Sequence, residues 1–252
     1  MTILITGATG QLGGAVVRHV LDRTNEQVIV SVRDPKRFDL DGVEVRRGDF
    51  ARPETLDFRG VDKLLIVSAL APDSGTRIQM HKNAVAAAVQ HGVGHIFYTS
   101  VTDADTSPIY VAEVHRATEE AVRATGVPFT FLRNGLYHEN FVGLFSGEIV
   151  AVSTKDGRVA SAPRDDLALA AAVALTTEGH ENRVYELTGS TSWSFPELAG
   201  DRFRDVGDED VDAAGSPFRL VDYFVAIRNG LFSEVRGDLE ELIGRPSRPI
   251  AV

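Results

Sequence analysis

The chain contains no cysteine. Thiol catalysis, disulfide bridges and zinc–thiolate sites are thereby excluded, and a reducing compartment is permitted. No apolar run reaches the roughly 18 residues that a membrane helix needs. A basic excess is also missing: 26 Lys and Arg stand against 36 Asp and Glu, a net charge of −10. A general nucleic-acid binder shows the opposite balance, so that class is set aside. Met1 leads straight into an apolar segment, without the basic stretch and apolar core of a secretory signal. The expectation is a cytoplasmic protein with no membrane, nucleic-acid or metal partner.

What is present is a chain of 252 residues that is 43% hydrophobic, enough for one α/β domain or for such a domain plus a small lobe. The most informative segment is the first. Thr2-Ile3-Leu4-Ile5-Thr6 is an apolar, β-branched run that breaks into Gly7-Ala8-Thr9-Gly10-Gln11-Leu12-Gly13-Gly14. An amphipathic pattern follows through Ala15, Val16, Val17, Val20 and Leu21. Strand, glycine turn and helix in this order suit a pyrophosphate. One glycine permits the tight turn, one admits the phosphates, and one lets the helix pack close. The helix N-terminus offers free N–H groups to the anion. The spacing G-x-x-G-x-x-G departs from the commoner G-x-G-x-x-G, and a ligand-free βα turn is the plainer reading of three glycines alone.

Further strands are expected at Val28–Val32, Val43–Arg46, Lys63–Val67, His95–Thr99 and Phe129–Leu132, with helices at Gln11–Arg23, Arg77–Gln90 and Ala112–Thr125. The alternation implies βαβ units and a Rossmann-type, doubly wound parallel sheet in an α/β fold. Gly92 and Gly126 fall where left-handed helix caps belong. After about residue 135 the pattern changes. A hairpin is expected from Ile149–Val152 and Val159–Ala160 around Lys155-Asp156-Gly157-Arg158, then a helix over Arg164–Leu175 and a strand over Val184–Leu187. The acidic stretch Asp205–Asp212 reads as a solvated connector, and Leu239–Ile243 as a helix stopped by Gly244-Arg245-Pro246. The expected division is a dinucleotide-binding domain over residues 1–134 and, over 135–252, mostly a substrate-binding lobe with some elements returning to the Rossmann core.

The second strand ends in Ser31-Val32-Arg33-Asp34-Pro35-Lys36-Arg37. NAD-binding folds place an acid at this edge for the ribose 2′-hydroxyl. Here Arg33 comes first, and a guanidinium fork suits a 2′-phosphate. NADPH is therefore favoured, while the adjacent Asp34 leaves NADH open. Asp49 and Phe50, after the third strand, are candidates to hold and flank the adenine. Ser68-Ala69-Leu70 ends the fourth strand, where the nicotinamide half passes.

Taken together, several segments resemble one family. These are the Gly7–Gly13 loop, Val32-Arg33-Asp34-Pro35, Tyr98-Thr99-Ser100, Asp105-Thr106-Ser107-Pro108, and His115 with Ala117-Thr118-Glu119. Phe131-Leu132-Arg133-Asn134-Gly135-Leu136-Tyr137, Tyr185-Glu186-Leu187-Thr188-Gly189 and Leu242-Ile243-Gly244-Arg245-Pro246 complete the pattern. Their order is that of the NmrA-like group of atypical short-chain dehydrogenases, and within it the type 2 NAD(P)H:quinone oxidoreductases and triphenylmethane reductase are nearest in pattern. The stretch around Asp201–Val221 matches poorly. The resemblance implies an NADPH-dependent oxidoreductase of quinone type acting on a planar, conjugated small molecule. It implies a pyrophosphate cradle of Thr6, Gly7, Thr9, Gly10, Gln11 and Leu12, with Arg33 on the 2′-phosphate. Ser68, Ala69 and Leu70 would line the nicotinamide ribose, with Thr99 among the cofactor-binding residues. Asn134, Gly135, Leu136 and Tyr137 would run beside the nicotinamide, with Arg164 a further contact. A homodimer is one arrangement this reading allows. The family's non-catalytic members, which sense dinucleotide and bind a partner protein, supply the competing expectation.

Ordinary short-chain dehydrogenases pair serine with Tyr-x-x-x-Lys, whose lysine lowers the tyrosine pKa. Tyr110 is followed by Val111-Ala112-Glu113-Val114, so the lysine is missing and a Ser100/Tyr110 proton-transfer pair is not expected. The candidate catalytic residues are instead His115, whose ordinary pKa near 6.5 allows proton donation, and Tyr137. Tyr137, Phe141 and Phe145 are candidates for a flat apolar wall. His115 also reads as a structural histidine near a helix start.

Overall fold

Short β-branched and aromatic runs form the strands here, and each early one is followed by a helix that covers a face of the sheet. The computed structural model describes residues 1–212 and 220–252. Its strands are β1 (Thr2–Thr6), β2 (Gln27–Val32), β3 (Glu44–Arg47), β4 (Lys63–Ile66), β5 (His95–Val101), β6 (Phe129–Asn134), β7 (Val150–Val152), β8 (Arg158–Val159), β9 (Arg183–Leu187), β10 (Trp193–Ser194) and β11 (Phe203–Asp205). Its α-helices are α1 (Gln11–Leu21), α2 (Ser74–Gln90), α3 (Tyr110–Arg123), α4 (Arg164–Thr176), α5 (Phe195–Ala199), α6 (Asp208–Asp212), α7 (Leu220–Arg228) and α8 (Asp238–Ile243).

Seven strands pair in parallel in the order β3-β2-β1-β4-β5-β6-β9. The order reverses between β1 and β4, and in such sheets ligands bind outside the carboxyl ends of the strands at that point. Two apolar layers sandwich the sheet. On one face Ile3, Ile5, Val28, Val30 and Leu65 pack against α1, α4 and Leu239 of α8. On the other, Leu4, Ile29, Leu64, Ile66, Ile96 and Phe131 pack against Ala84, Val85 and Ala88 of α2 and Val122 of α3. Each fully buried side chain of this kind contributes roughly 1.5–3 kcal/mol. The helix ends follow local chemistry. The Asp73 carboxylate accepts from Thr76 N at 2.8 Å and starts α2 three residues before the sequence pattern suggests. Gly92 and Gly126 adopt φ of 71° and 72° just past α2 and α3.

The second half contributes to both bodies of the molecule. α4, β9 and α8 join the sheet and its covering layer. A separate core of Phe141, Phe145, Val150, Val159, Trp193, Phe195 and Phe224 forms the lobe. Two expectations are corrected there. Ile149–Val152 and Val159–Ala160 make no hairpin: β7 pairs in parallel with β11, and β8 antiparallel with β10. Arg158 accounts for the divergence, because its guanidinium donates to Ser192 O at 2.6 Å and pairs with Glu197, drawing β8 away from β7. Asp205–Asp212 is not a connector. It ends β11 and forms α6, and Asp208 pairs with Arg228 of α7 at 3.0 Å. Within the poorly matching 201–221 stretch, residues 213–219 lie outside the described residues.

Candidate active site

The glycine loop turns from β1 into α1 through Gly7 at φ 64°. Gly10 N donates to Gly7 O at 2.9 Å and closes the turn. A Cβ on Gly13 would lie 2.7 Å from Gly7 C and closer still to Gly7 O, so only glycine lets α1 start this near the loop. No side chain caps α1 at Gly10. Its first N–H groups therefore stay open at the positive end of the helix dipole, beside the sheet's switch point. Thr9, Gly10 and Gln11 are exposed here. The arrangement fits a dinucleotide diphosphate. Thr6 could serve the cradle through its backbone alone. Its hydroxyl donates to Leu65 O at 3.1 Å and accepts from Val67 N at 2.9 Å, so its side chain ties β1 to the end of β4 and leaves only backbone for a ligand.

Arg33 is exposed beyond β2, and among the described residues its side chain makes no hydrogen bond or ion pair. Asp34 is occupied: its carboxylate accepts from Lys36 N at 3.1 Å and caps a short turn of helix. The cation, not the acid, is thus free to meet the ribose. Asp49 accepts from Ala51 N at 3.0 Å through one carboxylate oxygen. Phe50 is corrected. Its ring is 8% exposed and packs in the core beneath α2, edge-on to His81, so it offers no free face to an adenine.

On the other side of the switch point, Ser68 N donates to the hydroxyl of Thr99 at 2.9 Å, which commits that hydroxyl to holding β4 and β5 together. Leu70 is 77% exposed at the crevice. Asn134 ends β6, with Nδ2 3.5 Å from the Tyr137 hydroxyl and a buried Oδ1 that has no partner. An orphaned buried acceptor suits the amide donors of a nicotinamide. A Cβ on Gly135 would meet Leu187 O at 3.2 Å, and Leu136 O accepts from Ala162 N at 3.0 Å, so this segment is laid down by its backbone. The Arg164 guanidinium lies 4.9 Å from the Tyr137 ring centre and faces Glu139 at 3.9 Å. Phe141 and Phe145 are corrected: both are buried against Trp193 and Phe195 in the lobe and form no acceptor wall.

His115 is a buried residue of α3, with Nδ1 2.8 Å from the Tyr98 hydroxyl. Burial, reinforced by the charge of Arg77, holds its pKa well below 6.5. The expected protonated donor is therefore corrected to a neutral imidazole. Its tautomer follows from its neighbours. Ala69 N donates to His81 Nε2 at 3.0 Å, so His81 carries its proton on Nδ1, directed at the Thr118 hydroxyl 2.9 Å away. The Tyr98 proton is left for His115 Nδ1, and His115 keeps its own on Nε2. Burial raises the Tyr98 pKa to about 12 and that of Tyr137 above 10.0, so neither phenol ionises near neutrality. Ser100 donates to Glu119 at 2.6 Å within a buried cluster in which Arg133 also meets Glu119 at 2.6 Å. It is not paired with Tyr110. Tyr110 instead lines a cavity of about 350 Å³ between the start of α3 and α7, with Pro108, Ile109, Asp222, Val225 and Ala226. Sequence reading missed this cavity, because α7 lies outside every recognisable motif.

Comparisons with known proteins match this geometry. Quinone oxidoreductase 2 of Escherichia coli (strain K12) is 35% identical, across 99% of this chain and 96% of that one. An NAD(P)H azoreductase of Xenophilus azovorans is 31% identical over 87% of the chain and 76% of its own length. Among solved structures, Citrobacter sp. triphenylmethane reductase complexed with NADP(H) superposes with a TM-score of 0.91 at 39% identity, covering 98% of this chain and 97% of that one. The Escherichia coli NADPH-dependent quinone oxidoreductase with NADPH gives a TM-score of 0.92 at 33% identity, covering 99% and 97%. The NmrA-like family model spans residues 1–179. A Rossmann-type sheet, a glycine cradle under an uncapped helix and a family match over most of the chain agree, and the protein belongs to the NmrA-like family.

Proposed function

We propose that this protein is an NADPH-dependent oxidoreductase that reduces a quinone or a similar planar, conjugated small molecule. The carrying observation is the crevice itself. An uncapped α1 follows Gly7 and Gly10, and Arg33 at the end of β2 is a cation without a partner among the described residues. The relatives named above are all reductases, which favours turnover over a purely cofactor-sensing role.

When bound, the reduced nicotinamide supplies the hydride. The residues of this chain position it. The α1 N–H groups hold the diphosphate, Arg33 the 2′-phosphate, and Asn134 with the backbone of Gly135 and Leu136 the carboxamide side. A quinone is already electrophilic and needs no ionised base. The neutral His115 and the un-ionised Tyr98 and Tyr137 are consistent with that demand. The cavity between α3 and α7 has the volume for a ring system of two or three fused rings. Stopped-flow oxidation of NADPH by a panel of quinones tests the reading. Turnover well above the uncatalysed rate is expected, and turnover no faster than background would overturn it.

A further inference from the structure

Arg77 belongs to none of the motifs in the sequence. It stands in the second turn of α2, half-buried, and its Nη2 donates to Ser68 Oγ at 2.7 Å at the end of β4. Its Nε is buried without a hydrogen-bond partner, and among the described residues it makes no ion pair. The other arginines on this half of the crevice are neutralised: Arg133 by Glu119, Arg236 by Asp103, and Arg164 opposite Glu139. Ser68 lies just past the carboxyl end of β4, so the bond to it places Arg77 at the crevice edge of the sheet.

A half-buried guanidinium with an orphaned donor carries a desolvation cost that, among the described residues, only the neutral Ser68 hydroxyl offsets in part. An anion arriving in the crevice would offset it. Two anions are expected there, the cofactor diphosphate and the oxygen of the reduced acceptor. The diphosphate has its seat at the α1 N-terminus, across β1. Arg77 lies on the far side of the switch point, bound to Ser68 at the end of β4. Its position favours the second anion.

We propose that Arg77 is a catalytic residue: it binds a carbonyl oxygen of the acceptor and holds the oxyanion that forms as the hydride arrives. The inference rests on the quinone-reductase reading above. The acceptor gains a hydrogen nucleus and both electrons from the C4–H bond of the reduced cofactor, which is thereby oxidised. One quinone oxygen becomes an anion, paired with the guanidinium, and then takes a proton from water to complete the hydroquinone. A fixed positive charge does here what the absent Tyr-x-x-x-Lys does elsewhere by giving a proton. Preorganised charge aimed at a developing oxyanion is the stronger device in a site shielded from water.

The chemistry also predicts an opposite sign for a second acceptor class. Hydride addition to a triarylmethyl cation yields a neutral product, so no anion forms and Arg77 gives no help.

The test compares the wild type with Arg77→Gln and with Arg77→Lys, which keeps the charge. NADPH affinity, quinone turnover and reduction of a cationic triarylmethane dye are measured for each, as is the ionised fraction of para-nitrophenol bound with NADP+. For Arg77→Gln, kcat/KM for the quinone should fall roughly 100-fold, with NADPH affinity within about twofold of wild type. Dye reduction should not fall, and bound para-nitrophenol should lose ionised fraction at fixed pH. Arg77→Lys should recover most of both losses. Equal quinone turnover in wild type and Arg77→Gln, or a loss of NADPH affinity that matches the loss of turnover, would overturn the assignment. Should none of the tested acceptors support NADPH oxidation by the wild type, the functional reading fails, and the para-nitrophenol spectra still decide whether Arg77 binds an oxyanion.

Discussion

Replacing Gly13 by alanine should uncouple α1 from the glycine loop. The added Cβ would sit 2.7 Å from Gly7 C and closer still to Gly7 O, whereas ordinary contact begins at 3.4 Å, so more than about 0.7 Å of separation must be found. The opposing atoms belong to backbone that is fixed on both sides. Gly7 is held by its φ of 64° and by the bond from Gly10 N, and α1 is held by Val16, Val17 and Val20 in the core. Neither side can rotate away as a flexible side chain would. Overpacking of this kind costs typically 1–3 kcal/mol. For a chain of this size that is a drop of roughly 2–12 °C in Tm. The same displacement moves the open N–H groups of α1 away from the diphosphate, so NADPH affinity should fall as well. Gly10→Ala is the internal comparison. Its Cβ meets Gly7 O at 3.2 Å, a shortfall of only 0.2 Å, and its Tm should fall less. Thermal melts with and without NADPH, and a fluorescence titration of NADPH, read both effects. A Gly13→Ala protein that melts and binds as the wild type does would refute the close-approach argument.

Three further outcomes are expected. Arg33→Ala should weaken NADPH about tenfold and leave NADH nearly unchanged, since a charge-assisted contact to phosphate is worth roughly 1.5–3 kcal/mol and this site is exposed and screened; isothermal titration with both cofactors checks it, and equal losses would remove Arg33 from the 2′-phosphate. Burial depresses the pKa of His81 to about 3 and of His95 to about 4, from 6.5. Both are then neutral in the fold while the unfolded chain gains protons below 6.5, so stability should be complete above that pH and fall as pH drops toward 5. Urea midpoints that stay flat between pH 7 and 5 would contradict this. Arg133→Leu should cost about 3–5 kcal/mol, because it strands the carboxylate of Glu119, which is 2% exposed, without its partner; a cost below about 1 kcal/mol in equilibrium unfolding would show that the cluster is not needed.

Local chemistry carried a large part of the site. The turn into α1 was legible because only glycine tolerates φ near 64° and a helix packed against the carbonyl of Gly7. The strands of the parallel sheet were legible because their apolar runs are continuous and each is followed by a periodic helix. Arg33 was legible from its place at the end of β2, although its freedom from partners was not, since Asp34 had first to be seen capping its own turn. The lobe was misread. Strands of two or three residues carry too little pattern to name their partners, and β7 and β8 chose β11 and β10, more than 30 residues away, rather than each other.

The sequence by itself determined the α/β sheet, the glycine turn into α1 and the cation at the end of β2, since these depend on residues near one another in the chain. Only the tertiary structure decided which polar groups are spent and which are free. Thr6 and Thr99 tie neighbouring strands, Ser100 is spent on Glu119 of α3, His115 is buried and neutral, and Phe50, Phe141 and Phe145 belong to cores. Arg77, unremarkable in sequence, is bound to Ser68 at the end of β4 and has no ion pair among the described residues. The reason is physical. Burial and charge pairing depend on contacts between segments far apart in the chain, and no local pattern records whether a guanidinium will find a carboxylate when the chain closes on itself.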